Sequence, residues 1–133
     1  MRTKEIRKWI DEGGSLPEEL TQEEHKYLSR LGWMTMAMEY DNGQKEFEWH
    51  FLHGKKHGKY EAWYDNGQKE YEHHCLHGKL HGKRESWWYN GQKEYEYHYF
   101  HGMKHGVFKE WDEDGDPLID EEYYYGNKIK ETS

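Results

Sequence analysis

Nine of the eleven histidines fall into repeating columns: His53, His77 and His101; His57, His81 and His105; and His50, His74 and His98, the last continuing as Glu122. The first two columns share a His-Gly-x-x-His-Gly segment, which could bring two imidazoles close enough to hold Zn²⁺ at about 2.0 to 2.1 Å. A structural zinc site takes four ligands, however, and no cysteine pair or second local carboxylate completes one here. A ligand set needed once would not be copied three times, whereas a turn residue would be. These histidines therefore read as turn and packing residues, with no metal and no cofactor expected. A pH-dependent role stays open because free imidazole titrates near pH 6.5.

Carboxylates repeat as well, Glu46, Glu70 and Glu94 beside Glu48, Glu72 and Glu96. Paired acids serve glycoside hydrolysis, yet these alternate with Lys45, Lys69 and Lys93, as residues of a solvated face do. The single cysteine, Cys75, has Phe51, Tyr99 and Tyr123 as repeat equivalents, which makes it a packing residue. No Ser-His-Asp set or phosphate-cradling glycine loop stands out. The expectation is a protein that is not an enzyme.

The elements that carry these residues are set by a period. Tyr40-Asp41-Asn42-Gly43-Gln44-Lys45-Glu46 returns at Tyr64 to Glu70, then as Tyr89-Asn90-Gly91-Gln92-Lys93-Glu94, and fades into Asp114-Gly115-Asp116. Gly43, Gly67, Gly91 and Gly115 are 24 residues apart, as are Gly54, Gly78, Gly102 and Gly126, and Gly58, Gly82 and Gly106. A fixed period of this size means stacked supersecondary units that touch mainly their neighbours. Asn-Gly at 42–43, 66–67 and 90–91 predicts type I′ hairpin turns, which need positive φ at both central residues. Each unit then holds a short strand (Lys59 to Tyr64 in the second) and a longer one (Gln68 to His77), with His-Gly-Lys-x-His-Gly as the return turn. Alternation puts Phe47, Trp49 and Phe51 on one face of their strand and Glu46, Glu48 and His50 on the other.

Residues 1–32 lie outside the repeat and read as a helical cap. Ile6, Trp9 and Ile10 form one helical face, ended by Gly13 and Gly14; Thr21 and Glu24 make a capping box ahead of Tyr27, Leu28 and Leu31, with Gly32 at the end. From about Trp33, where Met34, Met36 and Met38 alternate with polar residues, residues 33–133 form the repeat array.

Composition bounds the partner. The chain of 133 residues has a formal charge of −8, a mean hydropathy of −1.44 and 17% aromatic residues. The charge disfavours nucleic acid, which needs a clustered basic surface, and an anionic membrane surface for the same reason. The aromatics, each able to bury roughly 150 to 250 Å², supply the folding drive that hydropathy alone would deny. With no apolar run of about 18 residues and no secretory h-region, a cytoplasmic setting is expected.

Repeats of this length with Tyr64, Asn66, Gly67, Gly78, Lys79 and Gly82 at these spacings resemble MORN repeats (membrane occupation and recognition nexus), nearest to the bacterial variant of the YwqK family of antitoxins. The resemblance covers roughly residues 33–130. It implies a mainly β fold, a single-layer twisted antiparallel meander of hairpin repeats with a groove on one face, and it brings no catalytic residues. Similar repeats serve as scaffolds, lipid-associated modules and toxin-neutralising partners. The function expected is thus a protein-binding module that sequesters a protein partner in an aromatic groove, as an antitoxin, immunity protein or inhibitor; the acidity suits a basic partner. Alternatives are a membrane-surface or scaffold adaptor of MORN type and a phage or viral inhibitor of a host defence factor. Aromatics of the central units are the expected anchors, namely Trp63, Trp87, Tyr95 and Tyr97. The N-terminal helices are expected to pack on the first strand or across the aromatic face.

Overall fold

The computed structural model describes residues 2–132. Two helices, α1 (Thr3–Glu12) and α2 (Gln22–Arg30), precede nine strands: β1 (Trp33–Glu39), β2 (Lys45–Leu52), β3 (Lys55–Trp63), β4 (Lys69–Leu76), β5 (Lys79–Trp87), β6 (Lys93–Phe100), β7 (Met103–Trp111), β8 (Pro117–Tyr124) and β9 (Asn127–Lys130). The strands form one antiparallel meander in the order β1 to β9, so the sheet is a single open layer about 38 Å across at the usual inter-strand spacing.

The two kinds of hairpin are made differently from the expectation. At His53-Gly54, His77-Gly78 and His101-Gly102 both residues have positive φ, for example 49° and 87° in the second, and the flanking Leu76 and Lys79 pair directly. These are the type I′ turns. At Asn42-Gly43 only the glycine has positive φ; Gly43 N–H bonds to the Tyr40 carbonyl and Tyr40 N–H to the Gln44 carbonyl, a three-residue loop whose final residue is left-handed. Asn42 instead spends its side-chain oxygen on Gln44 N–H at 2.9 Å, which holds the asparagine in the right-handed region. Because the return turn is two residues long, the strand after it is longer than foreseen. His57-Gly58 lies inside β3, where residues 57–59 bulge opposite His50 alone between the pairs Trp49–Tyr60 and Phe51–Lys56.

Side chains stitch each unit to the next at both ends of the strands. At one end Tyr40 and Tyr64 hydroxyls donate to the Trp63 and Trp87 carbonyls, and Asn42, Asn66 and Asn90 donate to the carbonyls of Asp65, Tyr89 and Glu113. In the third unit the indole of Trp88, rather than Tyr89, fills the tyrosine's place by donating to the Trp111 carbonyl. At the other end Nδ1 of His57, His81 and His105 accepts from the N–H of His77, His101 and Tyr125, the first residue of the next turn.

The helices bury Ile6, Trp9 and Leu28 against Leu52, with Trp33, Leu16 and Leu20 around them. Leu52 continues the alternation of Glu48 and His50, so this core lies on the glutamate-bearing face and not on the aromatic one, as one of the two expected placements had it. The reason is local. Trp33 pairs with Leu52 at the strand ends, and a Cβ on Gly58 would collide with the Trp9 indole, so only glycine lets α1 approach. His57 completes the seat: its ring meets Trp9 edge-on at 4.7 Å, and with Nδ1 accepting, Nε2–H donates to the Trp9 carbonyl at 2.6 Å. Thr21 and Glu24 form the capping box, and the buried Glu24 carboxylate also binds Arg2, which holds its pKa well below the usual range. Coverage ends within two units, since the column Leu52, Leu76, Phe100, Tyr124 goes from 2% and 7% to 37% and 58% exposed.

Four substitutions test this arrangement. His77→Asn should leave stability within about 0.5 kcal/mol, while His77→Val should cost about 1 to 2 kcal/mol in chemical denaturation, because a β-branched residue is strained at positive φ. His57→Leu should cost about 2 kcal/mol and strip hydrogen-exchange protection from α1, since it removes the side-chain bond to the Trp9 carbonyl, which keeps only the Gly13 N–H, and leaves the His77 N–H without its partner. His81→Leu, which loses the turn bond alone, should cost about 1 kcal/mol or less.

Candidate functional site

Cross-strand partners share a face, and the register therefore sorts every side chain. One face carries the row Met36, Trp49, Tyr60, His73, Arg84, Tyr97, Phe108, Glu121, flanked by the row Met38, Phe47, Ala62, Tyr71, Ser86, Tyr95, Glu110, Ile119. Large residues of the even strands face small ones, Ala62 and Ser86, on the odd strands, which leaves room for rings to lie flat. They stack as a layer: Phe47 on Trp49 at 4.0 Å, Trp49 on Tyr60 at 4.7 Å, Tyr71 on His73 at 4.7 Å, Tyr95 on Tyr97 at 4.4 Å and Tyr97 on Phe108 at 4.7 Å. Polar tips link units: Trp49 Nε1 donates to Tyr71 Oη at 3.0 Å, and Tyr95 Oη and His73 Nε2 are 3.2 Å apart. Lys56 lies over Tyr60, Arg84 over Tyr95 and Lys104 over Phe108 and Tyr123.

The opposite face is charged. Glu48, Glu61, Glu72, Glu85 and Glu96 are consecutive cross-strand partners, a row of like charges that would be destabilising alone. Lys69 offsets it by bridging Glu61 at 2.9 Å and Glu72 at 2.6 Å, and Lys93 bridges Glu85 and Glu96 in the same way. His74 and His98 meet Glu72 and Glu96 at 2.8 and 3.0 Å. The Glu72 pKa falls to about 2, first through His74 and then through Lys69; that of Glu96 also falls to about 2, against an opposing burial effect, through Lys93 and His98.

The sequence-derived anchors separate. Tyr95 and Tyr97 lie side by side in the aromatic layer. Trp63 and Trp87 alternate with Ala62 and Ser86 and so lie on the charged face, under Lys45 and Lys69 and under Lys93 respectively. A bulge at the Asn-Gly end, where Trp87 pairs with Lys93 directly after Ser86 pairs with Tyr95, shifts the register between the strands. The four therefore do not form one patch. Trp49, Tyr60 and Phe108 join Tyr95 and Tyr97 in the layer instead; alternation along β2 marked Trp49, whereas the side chains of the odd strands that share its face are fixed by the bulges. Asp112, Asp114 and Asp116 bring carboxylate oxygens within 4.8 Å of one another, but Asp112 accepts from the N–H groups of Asp114 and Asp116 as a turn residue does.

Compared with known proteins, the chain matches no family model, no curated protein and no solved structure at a significant level.

Acid should loosen the fold in two stages. Burial, then Arg84 and Lys56, hold the His73 pKa down at about 4, below its ordinary 6.5, so its share of stability is complete above pH 6.5 and is lost as pH falls towards 4. Burial likewise lowers His50, His57 and His81. Glu72 and Glu96 contribute fully above about pH 4.5 and lose their share towards pH 2. Denaturation followed from pH 7 to 4 should show a decline, of which His73→Tyr removes about 1 kcal/mol after allowance for solvent screening.

Proposed function

We propose that the chain is a non-enzymatic, cytoplasmic repeat module that holds a protein partner against its aromatic face, in the manner of an antitoxin, immunity protein or inhibitor. The observation that supports this reading is a face of packed aromatic rings on β2 to β4 and again on β6 to β8, with both helices on the other side of the sheet. Aromatic surface of this kind is what interfaces use for their anchors. The rings are already stacked and their polar tips bonded, so little side-chain entropy is lost on contact. Tyr97 is the central anchor: it is flanked by Tyr95 and Phe108, and burial followed by Glu110 holds its hydroxyl protonated well past the ordinary tyrosine range. At long range the charge of −8 favours a partner with a basic rim.

A photo-crosslinking residue at position 97 should capture one partner, and the same residue at position 85, on the charged face, should not. With that partner in hand, Tyr97→Ala and Trp49→Ala should each weaken binding about 30-fold, or about 2 kcal/mol, with the circular dichroism spectrum retained. Glu85→Ala should change affinity less than about threefold. The reverse pattern would move the interface to the charged face.

A further inference from the structure

The aromatic layer is interrupted once, and the interruption is a departure from the repeat. On β2 and β3 Trp49 stacks on Tyr60 and Phe51 meets it edge-on, with ring centroids 4.7 and 6.0 Å apart. On β6 and β7 their equivalents Tyr97, Phe108 and Tyr99 do the same, at 4.7 and 5.3 Å. On β4 and β5 the same columns hold His73, Cys75 and Arg84. Three neighbouring aromatic positions are thus replaced together, by two smaller side chains and one cation, where the fold demonstrably accepts rings on either side. The result is a cleft of about 400 Å³ in the middle of the face.

Its lining is specific. Tyr60 and Tyr71 form aromatic walls, Cys75 and Leu80 an apolar floor, and Lys56 and Arg84 supply positive charge with no carboxylate in the lining. Lys69 and Lys93 on the other face are neutralised by glutamates at 2.6 to 2.9 Å, whereas Lys56 and Arg84 have no ion-pair partner among the described residues. Arg84 is held in place: its Nε donates to His73 Nε2 at 3.3 Å and its guanidinium lies 5.6 Å from the Tyr95 ring centre. Burial, and then the positive charge of Arg84 and Lys56, lowers the His73 pKa, in keeping with the place of both cations in the lining. In a chain of charge −8 this is a local reversal of sign.

We infer that this cleft is a binding site for a small organic anion with a flat apolar body, an aryl carboxylate or aryl phosphate, its charge held by Lys56 and Arg84 and its ring laid between Tyr60 and Tyr71 over Cys75. Guanidinium matches the planar oxygens of carboxylate and phosphate, and the walls offer the stacking that a flat body needs. The site does not depend on a protein partner, and a failure of either reading leaves the other standing.

The test is a titration of the full chain with phenyl phosphate and benzoate, followed by aromatic-ring NMR shifts, with benzyl alcohol and inorganic phosphate as the neutral and the ringless probes. The aryl anions should bind at about millimolar strength or better and shift the Tyr71 and His73 resonances, with both other probes about tenfold weaker. Lys56→Leu and Arg84→Gln should each weaken the aryl anions at least about threefold. The combined variant His73→Tyr, Cys75→Tyr, Arg84→Phe carries the equivalent residues of β6 and β7 and should keep the fold while losing the site; should it fail to fold, the two single variants decide. Absence of aryl-anion binding at about 10 mM overturns the inference, as does indifference to Lys56→Leu and Arg84→Gln. Equal binding of benzyl alcohol overturns the anion requirement, and equal binding of inorganic phosphate overturns the flat body.

Discussion

A sheet of one layer has no second layer to bury itself against, and the rest of this structure follows from that constraint. Sandwiches and barrels gain their stability from an interior between two sheets. Here the interior-like cluster is confined to Ile6, Trp9, Leu28 and Leu52 under the helices. Beyond it, stabilisation has to run sideways, from each hairpin to the next. That is why the repeated residues are polar-tipped and reach across about one period: Tyr64 to the Trp87 carbonyl, Asn66 to the Tyr89 carbonyl, His81 to the His101 N–H. Each bond supplies a partner to a turn or strand-end backbone group.

The same constraint explains why the two faces diverge. Rings pack laterally, edge to edge and face to face, and so can cover a single layer without a counterpart above them. Carboxylates cannot, and the glutamate row is tolerable because lysines and histidines repeat with the same period as the acids they offset. Ion pairs at this exposure are each worth little, so the charged face contributes solubility and register more than stability. The helices add an apolar cluster where Leu52 and Trp33 lie on that face.

Much of this was legible in the sequence because the period of 24 residues could be read from glycine alone. Two strands to each unit, the capping box at Thr21 and the start of the array at Trp33 follow from spacing and alternation. Turn chemistry did not. Asn-Gly is the stronger general signal for a type I′ turn, yet the asparagine is occupied by Gln44 N–H and the left-handed pair falls to His-Gly, where the His77 and His101 N–H groups are held by His57 and His81 of the preceding unit, a contact that no local rule contains. The separation of Trp87 from Tyr95 was hidden for a related reason: a bulge in each pairing decouples the alternation of neighbouring strands. Of the cleft on β4 and β5, Cys75 alone stood out from its column, and only the register shows that His73, Cys75 and Arg84 are one place.

The exposure of the column Leu52, Leu76, Phe100, Tyr124 gives the molecule a direction. An array stabilised by nearest-neighbour contacts behaves as a one-dimensional cooperative chain, and one whose first unit is clamped while its last strand, Asn127–Lys130, is short and solvated has its weakest coupling at one end only. Thermal opening then runs as fraying from the carboxyl end, unit by unit, and re-formation zips outward from the helix-covered hairpin. The clamped unit is the template on which each later hairpin docks, so the number of hairpins can change at the far end without disturbing the junction that starts them.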